Sequence, residues 1–94
     1  MEFKKEHLIN KYYDWSTETG HKAIPNSPDR RLFDRLNGNQ ILYLINFFGY
    51  SVGNITIDDG QRIENLIIKE LPTELKSEKA VFNWLIEKYL YYWN

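Results

Sequence analysis

A chain of 94 residues, 43 % of them apolar and 27 % charged, has room for one hydrophobic core and the composition of a globular domain. The absence of cysteine excludes a disulfide framework, a thiolate metal site and a cysteine nucleophile together. Twelve basic against 13 acidic side chains give a formal net charge of −1, so no global field draws the chain to nucleic acid or to an anionic membrane.

In chain order, residues 2–15 carry the spacing of an amphipathic helix. Leu8, Ile9, Tyr12, Tyr13 and Trp15 fall on one face, with Lys4, Lys5, Glu6, Asn10, Lys11 and Asp14 opposite. Residues 16–27 are polar, contain Gly20 and Pro25, and show no periodicity, which predicts a loop. Ser27 then stands as the cap of a short helix over 28–36, with Pro28 at its first position and Asp29 in its first turn. Leu32, Phe33 and Leu36 are its inward residues.

The run 39–50, NQILYLINFFGY, is the most apolar stretch in the chain. Read as a helix, it gathers Asn39, Tyr43, Asn46 and Tyr50 into one semi-polar stripe at i, i+4, i+7 and i+11. Every other side is apolar, so this helix is expected at the centre of the fold, capped by Asn39 and ended by Gly49. Val52, Ile55 and Ile57 leave room for one short extended segment over 52–57. Asp58 with Gln61 has the form of a capping box for a helix that runs to Leu71, where Pro72 stops it. Its buried face is Ile63, Leu66, Ile67 and Leu71. Ser77 caps a last helix that reaches Trp93. The fold predicted is all-α: a single domain over 1–94, a compact bundle of four to five helices.

The chemistry-bearing residues are sparse. His7 and His21 lack any partner at a metal-ligand spacing, and Asp58-Asp59-Gly60 lacks the remaining ligands of a calcium loop, so no metal site is predicted. No nucleophile stands beside a base, and no glycine-rich phosphate loop is present, so no catalytic residue and no cofactor are assigned. Two surfaces remain. Arg30, Arg31 and Arg35 fall within one and a half turns of the predicted 28–36 helix, and a phosphate backbone is the partner they would suit. The final helix carries six aromatics in twelve residues, and 16 % of the whole chain is aromatic. Its polar stripe is too narrow to cover the rest, which leaves Trp84, Tyr91 and Tyr92 beyond the core stripe as partner-binding residues.

These observations predict a non-enzymatic protein that binds another protein or its own copy as a homodimer, in the manner of the small regulators and inhibitors of phages and mobile elements. A nucleic-acid-binding regulator using the three arginines is the alternative. The N-terminal residues lack the apolar core of a signal peptide and no apolar run reaches membrane length, so a soluble, cytoplasmic location is expected.

Overall fold

In the computed structural model, residues 2–16, 28 and 30–92 are described, the side chains of 91 and 92 excepted. The predicted loop 16–27 therefore lies outside the described residues apart from Ser16, as do the Ser27 cap, Asp29 and Trp93. Among the described residues there are three α-helices: α1 over Gly38–Val52, α2 over Ile57–Lys69 and α3 over Glu78–Tyr92. No strand accompanies them among the described residues, so the protein is mostly helical, with three helices where four to five were expected.

The strongly periodic stretches behave as their sequence dictates. Helix α1 buries Ile41, Leu44, Ile45 and Phe48, each at 1 % exposure or less, and both α2 and α3 pack against it. Its start lies two residues earlier than predicted, because the Asn37 side chain accepts from the N–H groups of Asn39 and Gln40. Its end lies later. The buried contacts of Ile45 and Phe48 carry the helix through Gly49 to Gly53, whose φ of 104° only glycine adopts without strain. Residues 52–57 thus form the end of α1 and a short link to α2, with Ile55 buried and no extended strand.

Helix α2 is closed by a reciprocal box between Thr56 and Asp59, not between Asp58 and Gln61. Asp59 N–H donates to the Thr56 hydroxyl at 3.1 Å, and Thr56 N–H donates to the Asp59 carboxylate at 3.0 Å. Ile63, Ile67 and Leu71 are buried as predicted, and Leu66 is half-buried. The hydroxyl of Ser77 accepts the Ala80 N–H at the start of α3, the cap that the sequence places there.

Two predicted helices are not helices. Residues 2–16 form an irregular strap with a single 3-10 turn over Lys5–His7. Phe3, Leu8 and Tyr13 are its buried residues, at a spacing of five that no helix face can hold, while Ile9 and Tyr12 stand exposed. The strap's backbone groups are taken up by side chains of the helices. Asn46 of α1 accepts from Phe3 N–H at 2.7 Å and donates to Phe3 C=O at 2.9 Å. On α2, Gln61 donates to the His7 carbonyl, and the Glu64 carboxylate accepts the N–H groups of Ile9 and Asn10. Tertiary partners thus outweigh the helical periodicity of this stretch. Phe3 lies directly over Gly60, where a Cβ atom would stand 2.3 Å from the ring. The close approach requires glycine.

Residues 30–37 are likewise not helical: they bend at Arg30 and Arg31, bridge at Leu32 and turn over 34–37, where Asn37 N–H donates to Asp34 C=O. Phe33 N–H donates to Lys76 C=O and Glu78 N–H to Arg31 C=O, an antiparallel bridge between Leu32 and Ser77. Asp14 and Asn37 make a parallel bridge to the strap. The Gln40 side chain accepts Asp34 N–H and donates to Leu32 C=O and to the buried Glu78 carboxylate. Of the three residues expected to face inward, only Phe33 does. Leu32 and Leu36 are exposed. Helices α2 and α3 flank the central α1, with the strap and the 30–37 segment laid across them. The radius of gyration, 12.1 Å, is that of a packed globule of this length.

Candidate interaction surface

Helix α1 contains no charged residue, although 27 % of the chain is charged. With Ile41, Leu44, Ile45 and Phe48 turned to the core, its helical period sets Asn39, Tyr43, Asn46, Phe47 and Tyr50 on the outer side. This is the semi-polar stripe of the sequence with Phe47 added. Asn46 is engaged by the backbone of Phe3. The aromatics form a continuous row. The rings of Tyr43 and Phe47 stack at 6.0 Å and 23°, and those of Phe47 and Tyr50 lie 6.0 Å apart. Phe47 also meets Phe82 of α3 edge-on at 5.2 Å. Tyr50, at the open end of the row, is 64 % exposed. From Phe82 the line continues along α3 at i+4 and i+8 through the half-buried Ile86 to Leu90, itself 61 % exposed.

The result is an aromatic and aliphatic seam that crosses from α1 to α3 without a charge in it. Such a face presents large, stiff ring area with little rotamer entropy to lose, the chemistry enriched at protein interfaces. An open cleft of ≈ 420 Å³ adjoins it, lined by Tyr50, Asn46, Gly53 and Asn54 among others. A second, of ≈ 400 Å³, lies on the outer side of the strap between Lys5, Lys11 and Trp15, with the Lys5 ammonium 4.3 Å over the Trp15 ring.

The sequence-predicted residues are distributed differently. Trp84 is half-buried against the core with the Lys88 ammonium 5.5 Å from its ring, on the flank of α3 away from Phe82. Tyr91 and Tyr92 belong to the last turn of α3, and their side chains lie outside the described residues. The arginines do not share a helix face, because 30–37 forms bends, a bridge and a turn instead of a helix. Arg35 donates to the carbonyls of Ile67 and Leu71 at the end of α2, at 3.1 and 2.5 Å. Arg31 stands 3.7 Å from the buried Glu78 carboxylate. Both therefore tie this segment to the helices, and Arg30 alone of the three is fully exposed.

Titratable groups inside the fold are likewise engaged. Glu64 is fully buried and accepts from Ile9 N–H, Asn10 N–H, the Asn10 amide and the Tyr13 hydroxyl. Burial and the facing Glu64 carboxylate push the Tyr13 phenol well above its ordinary range. At the surface, the hydroxyl and N–H of Ser16 hold Asp14 below the usual carboxylate range. Among the described residues no three His, Asp or Glu side chains group as metal ligands, and no helix is long and apolar enough to cross a membrane. Compared with protein-family models, curated proteins and solved structures, the chain matches none of them.

The sequence missed the seam as a surface because it read α1 as surrounded on several sides. The signal was present in the stripe through Tyr43 and Tyr50. What no local pattern conveys is that Phe47 meets Phe82, 35 residues on, and so joins two helices into one face.

Proposed function

We propose that this protein is a non-enzymatic binding protein that acts by contact with another protein or with its own copy, through the seam of Tyr43, Phe47, Tyr50 and Phe82. The observation that carries this reading is the charge-free aromatic row on α1, half-buried at Tyr43 and Phe47 and open to solvent at Tyr50, with its continuation on α3. A small regulator or inhibitor of the kind that phages and mobile elements encode fits a domain of this size, and a cytoplasmic location suits its lack of cysteine. Trp84 serves packing in this reading.

The test is capture of a partner by the immobilised protein, compared across variants. Tyr50→Lys and Phe47→Ser should abolish capture while leaving the helical circular dichroism intact. Arg30→Ala should change nothing. Loss of an aromatic anchor commonly costs about 2 kcal/mol or more of binding, close to a thirtyfold change. Capture that survives both seam variants, or that depends on Arg30 and falls steeply with salt, would replace this reading with a nucleic-acid one.

A further inference from the structure

Two neighbouring ridges run along the outer side of α3. Phe82, Ile86 and Leu90 form an apolar one, continuous with the seam, and Lys79, Asn83 and Glu87 form an exposed polar one. Each is a row of residues four apart, the kind of ridge by which helices interdigitate. The polar ridge is antisymmetric in charge about Asn83, with a cation four residues before it and an anion four residues after. Lys79 and Glu87 are eight residues, about 12 Å, apart along the helix, too far to neutralise one another within one chain. Neither makes an ion pair among the described residues.

From this antisymmetry we infer that the partner of the seam is a second copy of the chain, docked about a two-fold axis that passes beside Asn83. The inference rests on the proposed binding role of the seam and names its occupant. An isologous contact places a patch against itself, so every feature of the patch must be self-complementary. A charge-free aromatic row meets this condition without desolvating any ion. The ridge meets it because the axis reverses its direction, which brings Lys79 of one copy to Glu87 of the other, twice. Ridges of this type lie alongside each other when two helices cross at about −50°. The same axis sets the α1 row of one copy over the α1 row of its partner. A face about 22 Å long and two helices wide offers about 400 Å² per copy, below the roughly 800 Å² of a stable complex. The dimer is therefore a weak one, forming at concentrations on the order of 10–100 μM.

The experiment is sedimentation velocity over a concentration series on the full chain. The wild type should dimerise, Lys79→Glu and Glu87→Lys should each weaken dimerisation by about tenfold through two like-charge contacts, and the double exchange should restore it. Because the chain has no cysteine, Asn83→Cys adds a single thiol, which a short thiol–thiol cross-linker should join between copies. Thr73→Cys, exposed in the link between α2 and α3 and outside the ridge, should not be joined. A chain that stays monomeric throughout the series overturns the inference, as does a double exchange no better than either single one. If partner capture sensitive to Tyr50→Lys persists in that monomer, the binding role stands and only the second copy is excluded. If capture is absent too, both readings fail.

Discussion

Tyr13 donates its phenol hydrogen to the Glu64 carboxylate over 2.7 Å, inside the protein and across 51 residues of sequence. The pair closes a set in which one buried carboxylate receives every strap donor within reach: two backbone N–H groups, one side-chain amide and one hydroxyl. Glu64→Gln replaces an ionised acceptor with an amide that brings two donors where the site supplies only donors. It should cost about 3 kcal/mol or more. Tyr13→Phe removes one of four bonds and should cost about 1.5–3 kcal/mol. Chemical denaturation of both single variants and the double one should show a coupling of about 1 kcal/mol or more, since the residues share one network.

The same pair makes an alkaline prediction. The Tyr13 phenol titrates above its unfolded value of 10.0, so the folded state favours the protonated form. The stability from this group is complete below pH 10 and is lost as the pH rises toward the raised folded value. Urea midpoints measured between pH 8 and pH 11 should therefore fall more steeply for the wild type than for Tyr13→Phe. Parallel curves would show that Tyr13 is not held protonated.

Gly60→Ala should act through Phe3. The new methyl group would overlap the ring, so either the strap lifts or α2 shifts, at about 1–3 kcal/mol. Phe3→Ala alone should cost about 3–5 kcal/mol. In the Phe3→Ala background the overlap is gone, and Gly60→Ala should become neutral or mildly stabilising, because alanine favours a helix over glycine by about 1 kcal/mol. This reversal of sign is readable in melting temperatures.

Arg35 and Arg30 should separate cleanly. Arg35 holds two carbonyls at the end of α2, and Arg35→Ala should cost about 1–3 kcal/mol. Arg30 is exposed, and Arg30→Ala should stay within about 0.5 kcal/mol of the wild type. Equal effects would mean that the Arg35 bonds contribute nothing to stability.

The three helices were legible because each carries a 3.6-residue apolar period, with Pro72 after α2 and Ser77 before α3 as local signals. Their caps were less so: Asn39, Gly49 and Asp58 were expected where the structure uses Asn37, Gly53 and Thr56, since polar side chains two residues apart could each serve at the helix starts. Residues 2–16 and 30–37 were misread for a single physical reason. Their apolar spacing permits a helix, and what prevents it lies outside each stretch: Asn46, Gln61 and Glu64 for the first, and for the second Gln40 close by with Lys76 and Glu78 far along the chain. A polar residue amid a helical run carries no local sign that its partner is a backbone group 43 to 55 residues away. The candidate seam was half legible, as a stripe on α1, and became a face only when α3 brought Phe82 to it.

The wide separation between the strap and the groups that hold it has a consequence for the order of assembly. Ile9 is synthesised 55 residues before the Glu64 carboxylate that receives its N–H. Phe3 likewise precedes Asn46 by 43. Until α2 has formed, Ile9, Asn10 and Tyr13 lack the carboxylate that receives them, and Phe3 lacks the Gly60 surface on which it lies. The helices can form locally within microseconds, whereas closing a loop of this length onto preformed partners comes late. The strap is then laid on after the helices whose side chains hold it.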